Sequence, residues 1–175
     1  ALKFTQAIEG CDLIVHFAAE SHVTRSENDP DLFYRTNVEG TKTVLVEAKK
    51  QNIPVIHIST DEVYGPIVKG YFKERDKMVG DSQATSAYAK SKSIADDIAT
   101  ASMKDQQIIV VRPTNNYGPR AYPEKALSRW ITNLIDGQPI PLWCDGHQVR
   151  DWLFVEDTAR ALIHLIEHGQ WGQVY

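Results

Sequence analysis

The sequence predicts an α/β fold built on a parallel sheet, and three observations carry that prediction. Short, nearly continuous apolar runs recur along the chain, as in strands covered on both faces. Segments with helical spacing separate those runs. Strands that alternate with helices in this way imply parallel pairing through right-handed crossovers. The first run is Leu13 to Ala18, the second Val55 to Ser59 and the third Ile108 to Arg112.

Between the first two runs, Asp31 is expected to cap a helix reaching about Lys50. Leu32, Val38, Val44, Leu45 and Ala48 form its apolar side, and Asn52 and Pro54 stop it. A polar loop rich in Gly and Lys continues to about Asp81. Thr85 or Ser86 then caps a helix to about Met103, with Ala87, Ile94, Ala95 and Ile98 near helical spacing. Pro123 to Ile135 reads as a helix. Pro139 to Leu142 and Val149 to Val155 read as short strands, and Glu156 to Glu167 as a last helix with Asp157 in its first turn.

The 175 residues suit one domain's worth of core. A net charge of -4 argues against a nucleic-acid partner, because phosphate backbones are met by basic faces. No apolar run approaches the roughly 20 residues of a membrane span, so no membrane partner is expected. No signal peptide opens the chain, and a cytoplasmic location is the default. Cys11 and Cys144 stand apart in no CxxC pattern and read as two buried thiols in a reducing compartment. The histidines and carboxylates show no metal-ligand spacing, so no metal is expected.

In parallel sheets, ligands sit beyond the carboxyl ends of the strands. The segments to search are therefore Ala18 to Ser26, Thr60 to Gly65 and Pro113 to Arg120. Tyr88 and Lys92 are four residues apart, so both project from one side of a helix while Lys90 points away. An ammonium beside a phenol lowers the phenol's pKa and makes a base for a hydroxyl proton. The same spacing also describes a surface Tyr and a solvated Lys. Ser59-Thr60-Asp61-Glu62 follows a strand; two buried carboxylates would split into one acid and one base, whereas a solvated acidic turn would not.

Asn115 and Asn116 carry amides suited to a sugar, a phosphate or a carboxamide, or they belong to an ordinary turn. Lys125, Arg129 and Arg150 can neutralise a diphosphate, or pair at the surface. Trp143 is a candidate platform for a nucleobase, and His22, in a post-strand loop, is a candidate for substrate binding. Trp130, Trp152 and Phe154 are expected in the core, and His16 and His57 as packing residues in strands.

The segments VHFAAESHVTRS, TNVEGT, HISTDEVYG, YAKSK, NNYGPRAYPEK and DGHQVRDWLFVEDTARAL, in this order, resemble the dTDP-glucose 4,6-dehydratase family of extended short-chain dehydrogenases/reductases. The likeness runs over essentially the whole chain. Its most discriminating point is Asp61-Glu62: related 4-epimerases carry small or neutral residues there, while decarboxylases and GDP-mannose dehydratases keep a Glu without the preceding Asp. The resemblance implies a Rossmann-like doubly wound parallel sheet. Residues 1–120 would supply the central and later part of an NAD-binding domain, and 121–175 a nucleotide-sugar-binding region with a return to the Rossmann core.

It also implies a mechanism. Tyr88, aided by Lys92 and Thr60, takes the proton of the sugar 4-hydroxyl as C4 hydride passes to NAD. Glu62 removes the C5 proton, Asp61 protonates the departing 6-hydroxyl, and hydride returns to C6. The resemblance places Ala18, Ala19 and Ser21 against NAD, which Tyr88 and Lys92 also touch, and Ser59 joins that set from its position at the end of the second run. It places Asn115, Lys125 and Arg150 on the sugar nucleotide and gives Asn37 a structural role; His22, Asn116 and Trp143 join the sugar-nucleotide set from their own chemistry and position. The expected assembly is a homodimer packing the helices of Asp31 to Lys50 and Ser86 to Met103.

The family's GxxGxxG turn and ribose-binding acidic residue are not among these residues. The chain is therefore expected to be a fragment that binds NAD poorly by itself. Competing readings are another NDP-sugar epimerase or decarboxylase of the same family, and a non-catalytic dinucleotide-binding domain.

Overall fold

The computed structural model describes residues 2–67, 69–76, 78, 84–142 and 145–175, without the side chains of residues 2 and 3. Trp143 and Cys144 lie outside the described residues, as does the expected end of the polar loop at Asp81. Helices are α1 (Leu2–Ala7), α2 (Val23–Asn28), α3 (Pro30–Phe33), α4 (Gly40–Lys50), α5 (Ala87–Ser102), α6 (Ala126–Ile135) and α7 (Val155–His168). Strands are β1 (Ile14–His16), β2 (Val55–Ile58), β3 (Ile108–Val111), β4 (Asn115–Tyr117) and β5 (Trp152–Phe154). The chain divides into two compact units, residues 1–113 with 168–175, and residues 114–167.

In the first unit β1, β2 and β3 form a parallel sheet in that order, as the apolar runs predict. Ile14 pairs with Val55 and Val55 with Ile108, so all three strands start level, and β1 ends one residue before β2 and β3. β3 is buried at all four positions. Residues Gly172 to Tyr175 run back along it, with Tyr175 N–H donating to the Val110 carbonyl at 2.9 Å and Arg112 N–H to the Tyr175 carbonyl at 2.8 Å. Leu45 and Ala48 of α4, Val55, Ala99 of α5, Ile108 and Val110 form the core, with Ile8 and Ile53 closing it. Burial of such apolar surface is the main stabilising term.

Several expectations need correction. The first strand is shorter than Leu13 to Ala18, and Phe17 is 58% exposed, because β1 has a sheet neighbour on one side only among the described residues. The cap of the following helix is Asp29, whose carboxylate accepts from Leu32 N–H at 3.0 Å; Asp31 sits in the first turn, behind Pro30. That helix is also not regular throughout: Tyr34–Glu39 is a π-helical stretch between α3 and α4. Asn52, at φ 53°, ends α4 as expected. Cys11 is exposed rather than buried, lying in the turn after α1.

Within the second unit, β4 pairs in parallel with β5, Asn115 opposite Trp152 and Tyr117 opposite Phe154. Gly118 follows at φ 149°, where a Cβ would come within 2.6 Å of Val155 Cγ1, so only glycine fits the turn. α6 starts at Ala126, three residues later than Pro123, with Lys125 at its N-cap. Pro139 to Leu142 is not a strand: the prolines lack N–H groups, and the Pro139 and Pro141 carbonyls accept from Asn133 Nδ2 and Trp130 Nε1. The last strand contracts to β5. Trp152 is 41% exposed rather than core, while Phe154 packs on Tyr117 with centroids 5.5 Å apart. Among the described residues no helix is long and apolar enough to cross a membrane.

Candidate active site

The helix carrying Tyr88 and Lys92 is fixed at its first turn by three side chains. Ser86, in extended backbone, accepts from Ala89 N–H; Ser26 accepts from Tyr88 N–H; Glu27 accepts from Ala87 N–H, each at 3.0 Å. Three of the four donors that a helix start leaves open are thereby satisfied, and the Glu27 carboxylate lies at the positive end of the helix. The position of Tyr88 is thus set by α2 as much as by α5.

Lys92 follows one turn later and is 4% exposed. Its Nζ donates to the Ile58 carbonyl at 2.7 Å, at the carboxyl end of β2. Burial brings its pKa down to about 8, against a raising influence from Asp96. Behind it lie His16 and His57, with ring centroids 5.3 Å apart. His16 Nε2 is 3.1 Å from Thr41 Oγ1, and burial, reinforced by the Lys92 charge, lowers the His16 pKa to about 4. His57 is 1% exposed and neither ring nitrogen has a hydrogen-bond partner among the described residues; burial, then Lys92 and His16, hold it neutral. Both histidines are packing residues in strands, as their sequence positions predict.

The acid pair lies on a 3₁₀ turn, Asp61–Tyr64, that opens straight after β2. Thr60 caps it, accepting from Glu62 N–H at 3.3 Å and donating to Asp61 Oδ1 at 3.1 Å. Asp61 N–H donates to the Pro113 carbonyl and Ser59 N–H to Val111, which fixes the turn to the end of β3. Asp61 and Glu62 are half-buried, so the burial required to split two carboxylates is only partly met.

The turn and the helix converge on Tyr88. Its hydroxyl hydrogen-bonds Thr60, and its ring meets Phe33 edge-on at 6.4 Å. Here an expectation fails. Burial first, then the charges of Glu62 and Asp61, push the Tyr88 pKa up to about 12, with only the Thr60 bond acting the other way. Lys92 does not depress it, because the ammonium is directed at the Ile58 carbonyl.

Ala18, Ala19 and Ser21 are exposed at the carboxyl end of β1. Asn37, on the π-helical stretch, holds that loop: its Oδ1 accepts from Glu20 N–H at 2.8 Å and its Nδ2 donates to the Glu20 carbonyl and to Ser91 Oγ. It bridges a loop and α5, not two strands. His22 caps α2, with Nδ1 accepting from Arg25 N–H at 3.1 Å. The first unit therefore brings Thr60, Asp61, Glu62, Tyr88 and Lys92 together, with Ser59 Oγ buried and without a partner among the described residues.

A dinucleotide fits the donor set on this side of the sheet: small residues at Ala18 and Ala19, the Ser59 hydroxyl, the Tyr88 phenol and the Lys92 ammonium. Among the described residues no group of three or more His, Cys, Asp or Glu could hold a metal ion.

In the second unit, Asn115 Nδ2 donates to the Asp151 carbonyl at 3.2 Å, and Asn116 Oδ1 accepts from the Thr158 hydroxyl. Lys125 and Arg150 are exposed, and Arg150 Nη1 reaches the Val149 carbonyl at 2.8 Å. Sequence reasoning passed over Arg112 and Asp96, a buried ion pair directly beneath the site. The four-residue step from Lys92 to Asp96 was the signal available for Asp96, and none was available for its pairing with Arg112.

Residues 2–175 match the family described as NAD dependent epimerase/dehydratase family. A dTDP-glucose 4,6-dehydratase from Streptomyces niveus is 41% identical over 171 residues, covering 96% of this chain and 50% of that protein. The crystal structure of a dTDP-glucose 4,6-dehydratase from Streptomyces venezuelae with NAD bound superposes with a TM-score of 0.93 at 39% identity, covering 99% of this chain and 53% of that one. A UDP-glucuronic acid 4-epimerase from Bacillus cereus superposes with a TM-score of 0.90 at 26% identity, covering 97% and 55%. The chain spans about half the length of the curated relatives it matches.

Proposed function

This chain belongs to the NAD dependent epimerase/dehydratase family, and we propose that the protein removes water from an NDP-hexose, dTDP-glucose in the first instance, to give a 4-keto-6-deoxy sugar. The single observation that carries this reading is the Asp61-Glu62 pair on a turn whose cap, Thr60, hydrogen-bonds Tyr88. Oxidation at C4 alone needs only the phenol and the ammonium. Elimination across C5 and C6 needs an additional base and acid, and two carboxylates facing the same phenol supply them.

When bound, NAD supplies a hydride acceptor for C4, a hydride donor for C6 and a positive charge. Tyr88 takes the 4-hydroxyl proton, with Thr60 holding the phenol in line. At a pKa near 12 the phenol keeps its proton at neutral pH, so it serves as a base only where added positive charge offsets burial and the two carboxylates. Lys92 then acts from its place beside the Ile58 carbonyl. The 4-ketone acidifies C5, Glu62 removes that proton, and Asp61 protonates the leaving 6-hydroxyl.

Ala18, Ala19 and Ser21 are assigned to NAD, and Asn115, Lys125 and Arg150 to the sugar nucleotide, on the strength of the family resemblance; Ser59 is added to the first set, and His22, Asn116 and Trp143 to the second, on their own chemistry and position. The first unit then carries the cofactor residues, the catalytic groups and His22, and the second the remaining nucleotide-sugar residues. A cytoplasmic homodimer is part of the same proposal, and Tyr34 and Val46, 44% and 52% exposed, are apolar positions available to it.

The test uses the full-length protein with NAD and several NDP-hexoses, read by mass spectrometry. Loss of water from dTDP-glucose by the wild type, and not by Glu62→Gln, is the expected result. A product that retains its mass, or loses carbon dioxide, would replace dehydration with epimerisation or decarboxylation; equal dehydration by both proteins would remove Glu62 as the C5 base.

A further inference from the structure

Asp96 lies four residues beyond Lys92 on α5, as Lys92 lies four beyond Tyr88, so the three share one helix face. Its side chain is fully buried, and it grips Arg112 through two parallel bonds, Nε to Oδ2 at 2.9 Å and Nη2 to Oδ1 at 2.7 Å. The remaining donors of Arg112 are also engaged. Nη1 donates to the Tyr64 hydroxyl at 2.7 Å and to the Glu74 carbonyl at 3.1 Å, and Nη2 to Met78 Sδ at 3.2 Å. The guanidinium carbon stands 4.9 Å from the Tyr64 ring centroid. All five N–H groups therefore have acceptors, which leaves this cation one orientation.

A buried ion pair is a poor way to gain stability, since apolar groups of the same shape often do as well; what it adds is a defined geometry. The elements joined here are the two halves of the candidate site. Asp96 belongs to the helix of Tyr88 and Lys92. Tyr64 closes the 3₁₀ turn of Asp61 and Glu62.

We propose that Asp96 and Arg112 form a positioning couple that holds the acid-bearing turn in register with the phenol-bearing helix. The inference rests on the active-site reading above and extends it to residues that touch neither substrate nor cofactor. A second consequence follows from spacing. The Asp96 charge supports protonation of Lys92, while His16 and His57, facing it from β1 and β2, are neutral. Asp96→Asn removes the charge that favours the ammonium among the described residues.

The test uses the full-length protein with NAD and dTDP-glucose, with Arg112→Met, Arg112→Lys, Asp96→Asn, Tyr64→Phe and, as a separate control, Tyr88→Phe. Measured are the thermal unfolding midpoint, kcat and KM, and the titration of the labelled Lys92 side chain by NMR. Arg112→Met and Asp96→Asn are expected to lower kcat about 10- to 100-fold with KM within about threefold, the pattern of a misaligned reacting group. Arg112→Lys gives no rescue, because a single ammonium cannot reproduce the fork. Tyr64→Phe lowers kcat about three- to tenfold, and Asp96→Asn moves the Lys92 titration to lower pH.

Folded variants with wild-type kcat and an unmoved Lys92 titration would overturn the proposal, whatever their unfolding midpoints. If the ion-pair variants do not fold, Tyr64→Phe, which leaves the pair intact, decides by the same criterion. Full turnover by Tyr88→Phe would instead sink the underlying site assignment.

Discussion

Lowering the pH from 7.5 to 5.0 is expected to cost the fold about 2 kcal/mol through His16, with a further loss of the same sign through His57. His16 and His57 are neutral in the folded protein, with His16 at about 4 and His57 also well below its ordinary value. In the unfolded chain both titrate near 6.5. Between those values the unfolded chain binds the extra protons, so stability is complete above about pH 6.5 and is lost as pH falls through the window. At pH 5.0 the unfolded imidazole of His16 gains about 2 kcal/mol of protonation free energy, while its folded counterpart gains almost none; His57, held neutral by burial, adds a loss in the same direction. Urea unfolding at the two pH values, for the wild type and for His57→Leu, isolates that share. The wild type should lose more stability than the variant on acidification. At pH 7.5 the variant should be at least as stable as the wild type, because neither nitrogen of His57 has a partner to lose among the described residues. Equal losses in both proteins would refute the claim that His57 is buried neutral.

Three further outcomes can be measured. Tyr88, at about 12, should contribute no phenolate absorbance below pH 10 in the protein without NAD, as judged by the difference from Tyr88→Phe, and should ionise at lower pH once NAD is added. Phenolate at neutral pH without NAD would mean that burial does not govern this group. Ser86→Ala should lower stability by about 1 kcal/mol, the usual loss for an N-cap, in the urea midpoint. Phe33→Ala, at a side chain only 1% exposed, should cost about 3–5 kcal/mol in the same assay.

The parallel sheet was legible because Val55 to Ile58, interrupted only by His57, and Ile108 to Val111 are nearly continuous apolar runs, and burial on both faces leaves no alternation to interpret. The convergence of Tyr88 with Thr60 was expected from the family resemblance; the four-residue spacing pairs Tyr88 only with Lys92, and the rule that sites gather at strand ends points to the segment of Thr60. Three things were not legible. Asn115–Tyr117 carries no apolar signal, so β4 becomes a strand only through its pairing with β5. The buried face of α5 includes Ser91, Lys92, Ser93 and Asp96, so hydrophobic spacing understated how much of that helix is enclosed. The Arg112–Asp96 pair joins residues 16 apart on different elements, which no local pattern encodes. The direction of the Tyr88 shift was misjudged for a related reason: adjacency of Lys92 along a helix does not say which oxygen the ammonium serves, and here it serves Ile58.

The π-helical stretch at Tyr34–Glu39 makes the length of this segment a tolerance with one strict passenger. Such a stretch accommodates an additional residue without breaking the helix that contains it. Deleting one residue there lets the strand-facing side of α4 keep its direction, so folding can survive the shortening. Asn37 cannot make the same adjustment: a one-residue slip turns a helical side chain by about 100°. Its carboxamide would swing off Glu20 and Ser91, freeing the loop after β1 from the helix of Tyr88. A shortened protein would thus keep its architecture and lose the tether between the two edges of its cleft.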